Sequence, residues 1–155
     1  MKKINTICLM QKDQELLLGF KKRGFGQGKW NGFGGKVEVG ESIAEATRRE
    51  TKEESGLAPI TIEKYGLVDF KFKNKPELEI EAHIFKCKDF IGELIESDEM
   101  LPKWFSVNKI PYNEMWDDDK YWLPLFLAGK KFKGKFLFDD NDKVISQEIN
   151  LINNL

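Results

Sequence analysis

At 155 residues the chain has the length of one domain, enough to bury about two-thirds of its unfolded surface around a single core, so residues 1–155 are read as one unit. Lysine plus arginine total 25 against 26 for aspartate plus glutamate, and the formal net charge of −1 argues against bulk attraction to a nucleic acid polymer or an anionic membrane. Charged residues at 33%, alongside 41% hydrophobic and 12% aromatic content, exclude global disorder.

The basic opening Met1-Lys2-Lys3 is followed by Ile7-Cys8-Leu9-Met10, an apolar stretch broken by Gln11 and Lys12 and too short for a secretory signal. No run approaches the ~20 apolar residues of a membrane span. A cytoplasmic protein is expected, and the sparse cysteines Cys8 and Cys87 are expected to be reduced and buried.

Ile4 to Gln11 and Glu15 to Lys21 read as a hairpin turning at Lys12-Asp13-Gln14. Glycine dominates residues 24–35, but Phe25, Trp30, Asn31 and Phe33 interrupt it, which predicts a loop that touches a ligand or covers the core rather than a flexible linker. Ser42 with Glu45 is a capping-box pair and Ser55-Gly56 a stop, predicting a helix over 42–55. Thr61 to Lys73 and Glu77 to Cys87 form a second hairpin around Asn74-Lys75-Pro76. In it Leu78, Ile80, Ala82 and Ile84 alternate with Glu77, Glu79, Glu81 and His83, so His83 is expected at the surface or a rim. A strand over 103–107, a helix over 119–128 containing Pro124, and a hairpin of 132–139 with 143–151 complete the chain. Hairpins interleaved with two helices point to a mixed α/β sandwich rather than an alternating βαβ fold.

On a helical wheel, Ile43, Thr47, Glu50 and Glu54 lie within about 60° of one another, with Ala46 and Glu53 on the flank. The carboxylates crowd the helix C-terminus, where each anion costs roughly 0.3–1 kcal/mol and Glu50 repels Glu54. Two compensations fit these residues. Arg48 and Arg49 can form salt bridges, with Glu45–Arg49 and Arg49–Glu53 at i, i+4 spacing; alternatively a divalent metal binds, and an all-oxygen set suits magnesium or manganese.

Gly35-x5-Glu41-x7-Arg49-Glu50-Thr51-Lys52-Glu53-Glu54-Ser55-Gly56-Leu57 resembles the signature of the Nudix hydrolases. The resemblance implies a Nudix α/β/α sandwich with a mixed sheet and β-hairpins, and a loop-helix-loop that cleaves a nucleoside diphosphate linked to another group. It implies Mg2+, with Mn2+ able to substitute, held by Glu50, Glu53, Glu54, the backbone of Gly34 and a late acid, Glu99. Arg49 would orient a carboxylate rather than touch substrate. The water-activating base would be Glu53 or Glu99. Thr51 stands where the family carries a bulky apolar residue, so weaker packing of that helix turn is expected.

The glycine segment matches neither a Walker loop nor a dinucleotide fingerprint, since the lysines after Gly28 and Gly35 lack a following Ser or Thr. Lys21-Lys22-Arg23 and Lys36 bracket it with positive charge suited to a triphosphate. Lys21 to Gly26, Lys29 to Val37, Glu96 to Met100 and Met115 to Trp122 together look like the branch of Nudix hydrolases acting on oxidised purine nucleoside triphosphates. That likeness implies base contacts from Asn31, Trp116, Asp118 and Asp119, a pocket lined by Thr6, Lys21 and Phe25, and Phe33, Gly34, Gly35 and Lys36 near phosphate. The expected substrates are 8-oxo-dGTP and 2-oxo-dATP, cut to monophosphate and pyrophosphate by a monomer that cleanses the nucleotide pool. Another Nudix activity, on ADP-ribose or undamaged nucleotides, and a non-catalytic nucleotide-sensing module are the alternatives. One residue is inserted around the Lys75 to Glu81 hairpin relative to the resembled enzymes, and Asp117 stands where they have proline, so a base-binding loop of different stiffness is expected, with a shift of purine specificity there.

Overall fold

In the computed structural model, which describes residues 2–155, strand β1 (Lys2–Lys12) offers alternate side chains to two cores; Met1 of the basic opening lies outside the described residues. Cys8 and Met10 join Leu17 of β2 (Glu15–Lys21), Phe33, Leu57, Cys87 and Met100 in one buried cluster. Leu9 joins Leu16, Leu18, Val68 and Ile84 in the other. Because side chains on a strand alternate with period two, this parity sets the clusters on opposite faces of one sheet.

The remaining elements are β3 (Trp30–Asn31), β4 (Phe33–Lys36), α1 (Ile43–Ser55), β5 (Leu57–Phe72), β6 (Lys75–Gly92), β7 (Met100–Ser106), a 3-10 turn at Tyr112–Glu114, α2 (Asp119–Leu127), β8 (Lys131–Phe138) and β9 (Val144–Ile152). The strands form a nine-stranded sheet in the order β3-β2-β1-β6-β5-β8-β9, with β4 also paired to β1 and β7 to β2. β1–β6 and β5–β8 are parallel, whereas β5–β6 and β8–β9 are antiparallel. α1 covers the Cys8 face, where Thr51 meets that thiol, and Trp122, Leu123 and Phe126 of α2 fill the opposite face. The mixed α/β fold expected from the sequence is therefore present. Cys8 and Cys87 are free and buried. Among the described residues no helix is long and apolar enough to cross a membrane.

Local chemistry bounds α1 where the sequence predicts it. Ser42 accepts from the Glu45 N–H at 3.0 Å, the Glu45 carboxylate accepts from the Ser42 N–H at 2.9 Å, and Gly56 ends the helix at φ 83°. Thr51 is fully buried, and its hydroxyl donates to the Thr47 carbonyl at 2.6 Å, so the polar group that replaces an apolar one is satisfied within the helix. α2 is fixed at its C-terminal end by Lys86, whose Nζ donates to the Phe126 carbonyl at 2.8 Å and lies 4.2 Å from the Tyr65 ring centre.

Three expectations change. The second half of the glycine segment is not loop but β3 and β4, held by pairing to Gly19–Phe20 and to Asn5–Cys8; partners distant in sequence override the poor strand propensity of glycine. The second hairpin is longer, extending back to Leu57 and on to Gly92, with bulges that absorb its irregular register. His83 is buried rather than at a rim, because β6 lies between β1 and β5 and is covered on both faces; its Nε2 meets Glu81 at 2.7 Å.

Candidate active site

β4 and α1 meet through two glycines. The Gly34 N–H donates to Glu54 Oε1 at 3.0 Å, and a Cβ at Gly34 would lie 1.8 Å from the Thr6 carbonyl oxygen, so only glycine allows β4 to approach β1 this closely. A Cβ at Gly35 would stand 2.9 Å from the Glu50 carboxyl. The acidic helix face thus lies against bare backbone.

Arg49 forms a clamp within this helix and its approach loop. It donates to Glu41 at 2.6 and 3.0 Å, to Glu50 at 2.9 Å, to Glu53 at 3.5 Å and to the Lys36 carbonyl at 3.4 Å. These bonds hold three carboxylates, the kind of contact that the resemblance implies for Arg49. Glu99, just before β7, accepts from Lys21 and Arg23, each at 3.1 Å. Burial pushes the Glu54 carboxyl up to about 7 against the Gly34 N–H, and the negative charges of Glu50 and Glu99 add to the rise.

This excess of anionic oxygen suits a hard divalent cation. The structure brings Glu54, Glu50, Gly34 and Gly35 together, with Glu99 close enough to act on Glu54 electrostatically. Glu53 faces solvent, its side chain 60% exposed. Among the described residues no three acidic, histidine or cysteine side chains gather tightly enough to hold a metal as they stand. Of the two compensations considered from the sequence, the salt bridges are visible in part: Arg49 pairs Glu50 and Glu53, whereas the Glu45 carboxylate caps Ser42 and Glu54 has no cationic partner within hydrogen-bonding distance among the described residues.

A cavity of about 260 Å³ opens beside these groups, running from Gly34, Gly35 and Glu54 to Trp116, Asp118 and Asp119. Thr6, Lys21, Phe25 and Asn31 also line it, as expected. Phe33 and Lys36 do not. Phe33 is fully buried in the core on the α1 face, and Lys36 is exposed, with its carbonyl taken by Arg49. Phe70, Phe72 and Phe138 supply an aromatic wall that the site motifs do not reveal, although their alternation along β5 and β8 marks them for one face.

Trp116 forms the plate at the far end. Phe25 stacks on it at 5.1 Å between ring centres, Phe138 meets it edge-on at 5.8 Å, and Lys29 lies 5.4 Å from its ring centre. Asp118 does not cap α2 with its side chain; it accepts instead from Trp122 Nε1 at 2.7 Å. Burial raises the pKa of both Asp118 and Asp119, and their proximity raises Asp119 further, which favours a proton held between the two carboxyls. Asp119 Oδ2 is buried without a hydrogen-bond partner. An adjacent donor and acceptor beside an aromatic plate can recognise the edge and the face of a purine.

Replacing either aspartate by alanine is expected to raise KM for an oxidised purine triphosphate about 10- to 100-fold with little change in kcat, the scale of one lost hydrogen bond to a charged group. Steady-state kinetics check this. The pair also predicts a pH effect on stability. A raised carboxyl binds its proton more tightly folded than unfolded, so folding loses stability as pH climbs from about 4 through the folded value, about 6 for Asp118. Asp119→Asn is therefore expected to match the unaltered protein near pH 4 and to melt at a higher temperature at pH 7.5.

A family model described as NUDIX domain matches residues 1–126. The oxidized purine nucleoside triphosphate hydrolase of Danio rerio is 47% identical over 153 residues, covering 99% of this chain and 97% of that protein. The Mus musculus protein of the same description is 47% identical over 147 residues, covering 95% and 94%. Among solved structures, a MutT protein from Bacillus halodurans superposes with a TM-score of 0.87 at 26% identity, covering 96% of this chain and 97% of that one.

Proposed function

The chain belongs to the Nudix family, and from that membership we propose that it is an oxidised purine nucleoside triphosphate hydrolase, cutting 8-oxo-dGTP and 2-oxo-dATP to the monophosphate and pyrophosphate. The observation that carries this reading is one cavity holding the Trp116 plate and the adjacent, buried Asp118–Asp119 pair at one end and the Gly34–Glu54 contact at the other. In the proposed complex the base lies along Trp116 with its edge on Asp118, Asp119 and Asn31. The triphosphate runs past Lys21 toward β4.

Glu50, Glu53, Glu54, Glu99 and the Gly34 backbone would hold the magnesium ion. When bound, such an ion screens phosphate charge and makes water a better nucleophile. Arg49 keeps Glu41, Glu50 and Glu53 aligned. Water attack breaks the α–β phosphoanhydride, and Glu53 or Glu99 accepts the water proton. In this reading the protein acts as a monomer on a small soluble nucleotide.

The test is turnover with Mg2+ on a panel of oxidised purine, undamaged and ADP-ribose substrates, with products separated. Preferred hydrolysis of oxidised purine triphosphates to pyrophosphate is expected. Orthophosphate as product, or preference for ADP-ribose, would overturn the assignment.

A further inference from the structure

Asp117 separates the base-stacking Trp116 from the Asp118–Asp119 pair, yet its own carboxylate points away from that recognition set. Oδ2 accepts the backbone N–H of Val144, the first residue of β9, at 2.8 Å, and Oδ1 meets Lys120 at 3.0 Å. Asp117 thereby ties the recognition segment to the turn that follows β8. That turn is stiff in itself, because Asp139 Oδ1 accepts from the N–H groups of Asn141 and Lys143 at 2.8 and 2.9 Å. Immediately before it stands Phe138, which lines the cavity and packs edge-on against Trp116.

We propose that Asp117 is a positioning residue for base recognition: by joining Trp116 and Asp118 to the β8–β9 turn, it sets the separation between the Trp116 plate and the Phe138 wall. The inference rests on the function proposed above and deepens it. A proline at this position would stiffen the segment through its own ring, whereas Asp117 stiffens it through a neighbour. The Val144 bond is the principal tether because it reaches another element. The Lys120 pair is one helical turn away and is half-exposed, with Lys120 itself 52% exposed, so it contributes little.

The experiment compares the intact chain with Asp117→Ala, Asp117→Asn and Lys120→Met. Asp117→Ala is expected to raise KM for 8-oxo-dGTP and 2-oxo-dATP about five- to tenfold at unchanged kcat, the effect of losing one hydrogen bond that acts through geometry. Hydrogen exchange at the Val144 amide should accelerate in parallel. Asp117→Asn retains an acceptor for that amide and is expected to restore KM to within about twofold of the unaltered chain, and Lys120→Met should stay within the same margin. Unchanged KM in Asp117→Ala, equal loss of kcat, or failure of asparagine to rescue would overturn the proposal. If the unaltered chain does not hydrolyse oxidised purine triphosphates, the substrate assignment falls and this inference with it. If it does so while Asp117→Ala keeps its KM, only this inference falls.

Discussion

Glu54→Gln is expected to lower kcat by about 100-fold or more, the scale of removing one preorganised charge from a site whose transition state is stabilised electrostatically. The glutamine carbonyl can still accept the Gly34 N–H that Glu54 accepts at 3.0 Å, so β4 and α1 keep their contact. Burial disfavours the Glu54 charge, which means that the neutral amide does not lower the melting temperature at pH 7.5 and is expected to raise it slightly. KM should stay within about threefold, because Trp116, Asp118 and Asp119 occupy the far end of the cavity. Turnover at saturating magnesium, read beside a thermal melt, checks the prediction. Near-normal kcat would remove Glu54 from the proposed metal site.

Chelation has the larger consequence. With excess EDTA, hydrolysis is expected to disappear, to return with magnesium or manganese, and to remain poor with calcium, which prefers longer bonds and more ligands than a compact phosphate-bridging site provides. Only oxygen ligands are on offer here, from Glu50, Glu53, Glu54 and Glu99, and the repulsion of Glu50 and Glu99 is already felt at Glu54. Full activity in EDTA would sink the metal assignment and with it the roles of all four glutamates.

Local features of the chain were legible from sequence wherever short-range bonds define them. α1 is bounded by Ser42 and Gly56 as its capping box and stop predict, since those bonds close within three or four residues. The glycine-rich segment was harder. Nothing local in Phe33-Gly34-Gly35-Lys36 favours a strand, and its extended form depends on β1, far back in the chain. His83 was misplaced for a related reason: strand alternation reports one face toward solvent, but β6 has neighbours on both edges and cover on both faces. At the site, Arg49, Glu50 and Glu54 could be singled out because they fall within the stretch from Gly35 to Leu57 that resembles the Nudix signature, and that resemblance implies their roles. Phe70, Phe72 and Phe138 were not, since any aromatic on the inner face of a strand carries the same pattern whether it meets core or ligand.

The parallel pairing of β1 with β6 sets Thr6 opposite His83, 77 positions later. Thr6 lines the cavity, and β4, which meets Glu54, is paired to the same strand. The cavity therefore cannot take shape while only the first half of the chain has been synthesised, even though that half carries the entire acidic helix. Closing so long a loop carries its entropic cost before any cross-strand contact compensates for it, so folding is expected to be slower than in a helical bundle built on local contacts. On a ribosome a competent pocket must wait longer still, until Trp116, Asp118, Asp119 and Phe138, which also line it, have emerged.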